Sequence, residues 1–342
     1  MKNFILTPMR IAFFEIQGWE LPLLEQAFNG HTLFFSDKPL QSSDLAAIKD
    51  FDALSVFIYS RVGREAMDAL PNLKLIATRS TGFDHIDLTA AKEHGVIVSN
   101  VPTYGEHTVA EHTFALILAL SRNVHKSHVR RLNGDFSIEG LKGFDLKDKT
   151  IGVIGAGKIG LHVIKIARGF GMHILAYDAF ENRFLADVLD YEYVSLETLL
   201  ASSDIITLHT PYNEKTHHLI NTEAVAQMKR GAILINTARG ELVDNDALIY
   251  ALNQGILAGA GLDVLEGEHL IKEEKELLSQ NQASNDASIL TKDHELLRRD
   301  NVVYTPHIAF YSEEALHRIL DTTVKNLTCF VDGACQNIVS KD

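Results

Sequence analysis

A glycine-rich turn between a predicted strand and a predicted helix constrains the fold of this chain more than any other segment. The residues are Ile151-Gly-Val-Ile-Gly155-Ala156-Gly157-Lys158-Ile159-Gly160, in which G-x-G-x-x-G directly follows an apolar run. Glycines at this spacing allow a tight turn, let a pyrophosphate approach the main chain, and let the helix pack closely on the strand. The amides at the start of the helix then bind the anion. The turn therefore predicts a doubly wound α/β domain that binds a dinucleotide.

An acidic residue stands where such domains distinguish the two nicotinamide dinucleotides. The run Ile174-Leu-Ala-Tyr-Asp178 reads as a second strand that ends in a carboxylate, about 20 residues after the glycines. A carboxylate at this position accepts a hydrogen bond from the adenosine ribose 2′-hydroxyl, and it would repel the additional phosphate of NADP. We therefore expect the cofactor to be NAD.

Short apolar runs alternate with helical patterns along the chain, which predicts parallel sheets covered by helices. The length of 342 residues is sufficient for two such domains, and a single long helix, from about Thr108 to Leu132, is predicted between the two series. The predicted strands of the first series are Ile11–Ile16, Leu33–Phe35, Leu54–Tyr59, Leu73–Thr78 and Val96–Ser99. Those of the second series are Thr150–Ile154, His173–Tyr177, Ile205–Leu208, Ala232–Asn236, Gly259–Leu262 and Val302–Tyr304.

The charge balance excludes several classes of partner. Asp and Glu number 45 against 32 Lys and Arg, which gives a formal net charge of −13. Such a field repels nucleic acid and anionic membrane surfaces, and no apolar run approaches the ~20 residues of a membrane span. The chain does not begin like a secretory signal, and its two cysteines, Cys329 and Cys335, read as reduced thiols. We expect a cytoplasmic protein with no nucleic acid or membrane partner.

Three charged or titratable side chains follow predicted strands of the second series and suggest a reaction. Arg239, His307 and either Glu266 or Glu268 would meet at the carboxyl edge of the sheet, where open α/β sheets bind their ligands. A guanidinium can bind the carboxylate of a 2-keto acid and polarise its carbonyl group. An imidazole can supply the proton that accompanies hydride transfer, and a neighbouring carboxylate keeps that imidazole protonated. The spacing alone does not choose between the two glutamates.

The segment His107-Thr-Val-Ala-Glu111-His112 raises the alternative of a metal site. Its two histidines are separated by five residues, which places them about 140° apart around a helix. A zinc-binding H-E-x-x-H helix needs histidines four residues apart on one face. We therefore expect no metal, and we interpret Glu111 and His112 as polar residues of the helix.

Several further motifs, in order along the chain, resemble the D-isomer-specific 2-hydroxyacid dehydrogenase family. The resemblance covers nearly the whole chain and is closest to the branch that reduces pyruvate to D-lactate during fermentation. The motifs that carry it, besides the glycine turn, are Arg79-Ser-Thr-Gly-Phe-Asp-His-Ile-Asp87, Asn100-Val-Pro-Thr-Tyr-Gly-Glu-His-Thr-Val-Ala-Glu111, Asn236-Thr-Ala-Arg-Gly240, Gly261-Leu-Asp263 and Thr305-Pro-His-Ile-Ala-Phe310.

The resemblance assigns roles to residues of this sequence. It implies that Arg239, Glu268 and His307 are catalytic, and so selects Glu268 over Glu266. It implies that main-chain amides near Thr81 and Gly82, together with Tyr104 and Arg239, bind the substrate carboxylate. The residues that would line the NAD site are Gly155, Gly157, Lys158, Ile159, Gly160, Asp178, Thr210, Pro211, Thr216, Thr237, Ala238 and Asp263.

The resemblance also implies how the chain is divided. Residues 1–103 and 306–342 would form a discontinuous substrate domain, and residues 104–305 a Rossmann-type NAD-binding domain that supplies most of a homodimer contact. Both would be Rossmann-like or flavodoxin-like doubly wound parallel sheets, with the active site in the cleft between them. The expected activity is reversible reduction of pyruvate to D-lactate. The alternatives are a reductase of phenylpyruvate, branched-chain 2-keto acids, hydroxypyruvate or glyoxylate, and a non-catalytic protein that senses NAD.

Overall fold

The computed structural model describes residues 8–267 and 292–339, which form two compact α/β units. One unit extends to Tyr104 and resumes at Ser312, and the other extends from Gly105 to Tyr311. The return to the first unit thus lies a few residues beyond the predicted boundary at 306. The boundary lies beyond 306 because the Asp263 carboxylate accepts hydrogen bonds from the amides of Ile308 and Ala309. These hydrogen bonds keep the turn that contains both residues in the second unit.

The first unit is a five-stranded parallel sheet with the order β2-β1-β3-β4-β5, the flavodoxin-like arrangement. Its strands are β1 (Arg10–Phe13), β2 (Thr32–Phe35), β3 (Ala53–Val56), β4 (Leu75–Thr78) and β5 (Ile97–Ser99). The helices are Leu21–Ala27, Arg64–Ala69, Leu88–His94 and Glu313–Val331. Strands β3 and β4 are buried along their whole length, as expected for central strands covered on both faces.

The second unit is a seven-stranded parallel sheet with the order β12-β11-β10-β9-β6-β7-β8, in which the run from β8 to β11 has the Rossmann order 3-2-1-4-5-6. Its strands are β6 (Thr150–Ile154), β7 (His173–Tyr177), β8 (Glu192–Tyr193), β9 (Ile205–Leu208), β10 (Ala232–Asn236), β11 (Leu257–Leu262) and β12 (Val302–Tyr304). The helices are Glu106–Ser121, Val124–Leu132, Lys158–Gly169, Arg183–Leu189, Leu196–Ser202, Thr222–Gln227 and Asn245–Asn253, and residues 292–297 are also helical.

Alternate residues of the central strands pack into two different hydrophobic cores of the second unit. On β10, Leu234 belongs to one core, whereas Ile233 and Ile235 belong to the other. Successive side chains of a strand point to opposite faces of the sheet, so helices must cover both faces to bury this strand. The continuous apolar run of β10 therefore specifies a layered sheet that opens to ligands only at its edges.

The single helix predicted from about Thr108 to Leu132 is wrong, because the structure contains two helices there. Asn123 adopts the left-handed conformation, with φ of 53°, between Ser121 and Val124. Asparagine tolerates this conformation better than most residues, and it ends the run of helical hydrogen bonds. The first helix buries Phe114 and Ile117, whereas the second helix buries none of its residues.

Among the helices that the structure describes, none is long and apolar enough to cross a membrane.

Candidate active site

The glycine turn joins β6 to the helix Lys158–Gly169 at the carboxyl edge of the second sheet. Gly155 has φ of +98°, and a Cβ atom on it would lie 2.6 Å from the carbonyl carbon of His209 at the end of β9. A side chain at 155 is therefore excluded both by backbone conformation and by contact with the neighbouring strand end. Gly157 immediately precedes the helix, and Lys158 and Ile159 form its first turn. The turn has the form of an anion-binding helix start.

Asp178 lies beside this turn, where the sequence predicts a ribose-binding carboxylate. Its Oδ2 accepts a hydrogen bond of 2.7 Å from the Ala156 amide, and its Oδ1 accepts one of 2.8 Å from the Phe180 amide. Each carboxylate oxygen can accept more than one hydrogen bond, so a ribose hydroxyl can be accommodated as well. Asp178 thus fixes the glycine turn relative to the end of β7, in addition to its predicted role.

Two other predicted cofactor segments follow β9 and β10 at the same edge. In the first, the Thr216 hydroxyl donates to the Pro211 carbonyl at 2.8 Å, which closes the turn that begins with Thr210. In the second, the Thr237 hydroxyl lies 3.1 Å from that of Thr113, and the Ala238 amide donates to the Asn236 side chain at 3.0 Å. The predicted cofactor residues of the second unit therefore surround neighbouring strand ends, as a dinucleotide requires.

Arg239 follows β10 in an extended conformation, and its Nη1 donates to the Ala238 carbonyl at 2.8 Å. The next residue, Gly240, begins a 3-10 turn that ends at Leu242. A Cβ on Gly240 would overlap the main chain of Leu265 and Glu266. Glycine is required here because the main chain of the segment after β11 passes directly against residue 240.

His307 follows β12, and its backbone is in the left-handed region with φ of 55°. The His307 amide donates to the Asp263 carbonyl at 2.8 Å, and the His307 ring lies edge-on to Phe310 with centroids 6.4 Å apart. The Asp263 carboxylate accepts from the Thr305 hydroxyl at 2.5 Å, from the Ile308 amide at 3.0 Å and from the Ala309 amide at 2.8 Å. The turn that carries the predicted proton donor is therefore built around one buried carboxylate.

The carboxylate of Asp263 is only 1% exposed. Burial alone would raise the pKa of Asp263, but hydrogen bonds from the His112 and Thr305 side chains and from the Ala309 and Ile308 amides hold it below its ordinary value. The group is therefore ionised at neutral pH, where it can act as an acceptor for all of these donors.

The two glutamates that compete for the acid role are in different situations. Glu266 is engaged with another group, since its Oε1 lies 2.8 Å from Nε2 of His218. Glu268 lies outside the described residues. The assignment of Glu268 as the catalytic acid accordingly stays a prediction.

The predicted substrate residues Thr81, Gly82 and Tyr104 belong to the first unit. The segment after β4 is tightly held, because the Thr81 hydroxyl donates to the Val101 carbonyl at 2.8 Å and the Ser80 hydroxyl donates to the Gly82 carbonyl at 2.6 Å. The Tyr104 carbonyl accepts a hydrogen bond of 2.5 Å from Nε of Arg318, which fixes the main chain at this residue. These contacts fix the main chain of the predicted substrate-binding residues within the first unit.

Sequence reasoning assigned no site role to three histidines near these strand ends, and it interpreted one of them, His112, only as a polar residue of its helix. His112 lies 2.9 Å from the Thr305 hydroxyl, and His218 pairs with Glu266. Burial of the His209 ring lowers its pKa to about 3, so it is neutral at physiological pH. His209 directly follows β9, which indicates its place at the strand end, but no local pattern identifies the partners of His112 or His218. In the described ranges, no cluster of three His, Cys, Asp or Glu could hold a metal ion.

The fold and these strand-end groups define an NAD-binding protein of the Rossmann class. Residues 114–309 match the family model described as D-isomer specific 2-hydroxyacid dehydrogenase, NAD binding domain. The chain belongs to the D-isomer-specific 2-hydroxyacid dehydrogenase family, which confirms both the resemblance and the predicted cofactor.

Relatives and a solved structure support this assignment over almost the entire length. D-lactate dehydrogenase of Escherichia coli is 37% identical over 96% of this chain and 99% of its own. Aromatic 2-oxoacid reductase of Clostridium sporogenes is 38% identical over 90% of this chain and 92% of its own. The crystal structure of D-lactate dehydrogenase from Aquifex aeolicus, complexed with NAD and lactic acid, superposes with a TM-score of 0.87 at 37% identity, covering 97% of this chain and 99% of that one.

Proposed function

We propose that the chain catalyses the reversible reduction of pyruvate to D-lactate by NADH. The observation that carries this proposal is the placement of Arg239 and His307 after β10 and β12, on either side of β11 at the carboxyl edge of the NAD-binding sheet. Similarity to D-lactate dehydrogenases of Escherichia coli and Aquifex aeolicus supports the choice of substrate.

In the proposed reaction, bound NADH supplies a hydride to the keto carbon of pyruvate. His307 donates its imidazolium proton to the carbonyl oxygen, and Glu268 keeps that imidazole protonated beforehand. The Arg239 guanidinium binds the carboxylate and polarises the carbonyl group. Tyr104 and the main-chain amides near Thr81 and Gly82 complete the binding of the carboxylate.

The NAD-binding residues in this proposal are those of the glycine turn and of the neighbouring strand ends. Asp178 would bind the adenosine ribose through oxygens that already organise the turn. The other residues proposed for the NAD site are Gly155, Gly157, Lys158, Ile159, Gly160, Thr210, Pro211, Thr216, Thr237, Ala238 and Asp263.

Activity with a panel of 2-keto acids tests which substrate the enzyme prefers. We expect kcat/KM with NADH to be highest for pyruvate among pyruvate, phenylpyruvate, branched-chain keto acids, hydroxypyruvate and glyoxylate. A higher value for phenylpyruvate would instead favour the activity named for the aromatic 2-oxoacid reductase of Clostridium sporogenes. Absence of NADH oxidation with every keto acid would support a protein that senses NAD without turnover.

The role of His307 is tested by the substitution His307→Gln. We expect kcat to fall by about 10² to 10⁴, because this is the usual contribution of a positioned general acid. The matched control is His173→Gln, which should keep wild-type turnover. His173 is exposed and begins β7, so it lies at the amino edge of the sheet, whereas His307 lies at the carboxyl edge. Near-wild-type kcat in His307→Gln would contradict the role.

We also propose that the enzyme is a cytoplasmic homodimer whose contact lies in the second unit. The region from residue 124 to residue 138 exposes five large apolar side chains, Val124, Val129, Leu132, Phe136 and Ile138. Such a concentration of apolar surface is typical of a protein contact. Light scattering should give twice the 38.0 kDa chain mass, and Leu132→Glu should give a monomer. A monomeric wild-type protein would contradict the proposal.

A further inference from the structure

His112 connects the helix Glu106–Ser121 to the turn that carries His307. Its Nε2 lies 2.9 Å from the Thr305 hydroxyl and 3.5 Å from Oδ1 of Asp263. The imidazole is only 19% exposed, and none of the roles described above includes it. The His112 imidazole, the Thr305 hydroxyl and the Asp263 carboxylate therefore form a chain of hydrogen bonds near the end of β12.

The direction of each hydrogen bond follows from the available protons. The amides of Ile308 and Ala309 can only donate, so the Asp263 carboxylate accepts from both. The Thr305 hydroxyl has a single proton and donates it to Asp263 at 2.5 Å. Its oxygen is then an acceptor towards His112, which requires a proton on Nε2 of that ring. His112 thus acts as the outer donor of a chain that ends on the carboxylate.

This chain of hydrogen bonds determines the conformation of the turn. Asp263 accepts the His307 amide on its carbonyl and the next two amides on its carboxylate. These contacts hold His307 at φ of 55°, a region that non-glycine residues rarely occupy without support from surrounding structure. The orientation of Asp263 therefore fixes the position of the His307 Cα atom, from which the imidazole side chain extends.

We propose that His112 is a positioning residue for His307, acting through Thr305 and Asp263. This inference rests on the proposed function in one respect only, namely that His307 is the proton donor. The imidazole donates to Thr305, the hydroxyl donates to Asp263, and the oriented carboxylate holds the turn of residues 305–309. Removal of the outer donor leaves the Thr305 hydroxyl free to rotate away from the carboxylate, so the turn loses one of its restraints.

The first test measures the turn itself and does not depend on activity. Hydrogen–deuterium exchange of peptides covering residues 305–311 is compared in wild type, His112→Leu and His112→Gln. We expect the amides of Ile308 and Ala309 to exchange about tenfold faster in His112→Leu, because local opening becomes easier. His112→Gln retains a side-chain N–H donor and should restore most of the protection. Glu111→Gln, an exposed neighbour on the same helix, is the control and should exchange like wild type.

The second test measures the consequence for the reaction. We expect kcat for the keto acid to fall about tenfold in His112→Leu, because small misplacements of a catalytic group are costly. The solvent isotope effect on kcat should increase as proton transfer becomes limiting. A purely structural defect would lower the active fraction and the Tm without changing this isotope effect. His112→Gln should recover kcat.

The outcomes separate this inference from the proposed function. Wild-type exchange in His112→Leu would overturn the positioning role, and so would a loss of kcat without faster exchange. If the wild-type enzyme reduces no keto acid, the proposed function fails, while the exchange measurement still decides whether His112 holds the turn. Should His112→Leu fail to fold, Thr305→Val breaks the same connection, and unchanged exchange in that variant would overturn the inference equally.

Discussion

Glu15 in the first unit and Asp263 in the second perform the same structural task at the ends of different strands. The Glu15 carboxylate accepts hydrogen bonds from the amides of Phe57 and Tyr59, both at 2.9 Å, and from the Ser60 hydroxyl at 2.5 Å. It therefore holds the loop that follows β3, the strand next to β1. Asp263 holds the loop after β12, the strand next to β11, through two amides and the Thr305 hydroxyl.

The two carboxylates differ in burial and in their further partners. Asp263 is fully buried and is linked through Thr305 to an imidazole, whereas Glu15 is half-buried. In the first unit a cation completes the arrangement, because Nη2 of Arg79 donates to the Glu15 carbonyl at 2.6 Å. In the second unit the equivalent carbonyl, that of Asp263, accepts the His307 amide instead.

The difference in burial and in partners between Glu15 and Asp263 corresponds to the residue that each loop contains. The loop held by Glu15 carries Tyr59, a residue that is 43% exposed. The loop held by Asp263 carries His307, the proposed proton donor, and a displacement of about an ångström would impair proton transfer from it. We infer that the second unit confines its loop more strongly because the proposed proton transfer depends on the position of that loop.

Arg79 is a buried cation of the first unit, and the described part of the second unit has no such cation on the Asp263 carbonyl. It is 3% exposed, and its Nη1 lies 2.7 Å from Oε1 of Glu20, which is itself 5% exposed. Arg79→Met should reduce the free energy of unfolding by about 3–5 kcal/mol, because it leaves a buried carboxylate without its cation. Urea denaturation measures the loss.

The double variant Arg79→Met with Glu20→Leu serves as the control for this prediction. It removes both charges, and we expect it to regain much of the stability lost in Arg79→Met. A loss below about 1 kcal/mol in Arg79→Met would show that the pair behaves like a surface ion pair, and the distinction between the two units would then fail.

Glu15 and Asp263 are the carboxylate anchors of their loops, and substitution of each by its amide compares the two anchors directly. Asp263→Asn should cost about 1–3 kcal/mol, because the amide NH₂ would face a buried backbone N–H that keeps no other acceptor. Glu15→Gln should cost about 0.5–1.5 kcal/mol, because water can reach this half-buried site. The measurement is again the free energy of unfolding. If Glu15→Gln were the more damaging, burial would not determine the strength of the anchor.

Acidification should weaken the Asp263 anchor. Burial acts to raise the pKa of Asp263, but its hydrogen bonds lower it below the ordinary value near 4. A carboxylate with a lowered pKa in the folded state stabilises the protein above the unfolded pKa, and this contribution disappears as pH falls through the folded pKa. Unfolding free energies measured downward from about pH 5 should therefore fall less steeply in Asp263→Asn than in wild type. Parallel slopes would contradict the assignment.

Much of the fold could be predicted because its signals are local. The strands β6, β7, β9, β10 and β12 have the bounds that the apolar runs predict, and the glycine turn with Asp178 identifies the NAD-binding unit. Strand β3 ends at Val56 although its apolar run continues to Tyr59. The reason is Glu15, which takes the amides of residues 57 and 59 out of the sheet. β8 was missed because it has only two residues and neither is buried.

The anchors themselves could not be predicted, because their partners are distant in sequence. Nothing near His112 indicates Thr305, and nothing near Glu15 indicates Ser60. The left-handed backbone of His307 also has no local mark, since glycine normally signals that conformation. Such features depend on which strands become neighbours, and only the assembled sheet determines this.

The two hydroxyls give the smallest and most discriminating prediction. Ser60 accepts from the Leu40 amide at 2.9 Å while it donates to Glu15, just as Thr305 accepts from His112 while it donates to Asp263. Ser60→Ala and Thr305→Val should each cost about 1 kcal/mol of stability, since each breaks a comparable pair of hydrogen bonds. Only Thr305→Val should lower kcat, because only its loop carries the proposed proton donor. Equal effects of the two variants on kcat would mean that both loops must be held rigidly for turnover, so the difference in burial between Glu15 and Asp263 would have no catalytic meaning.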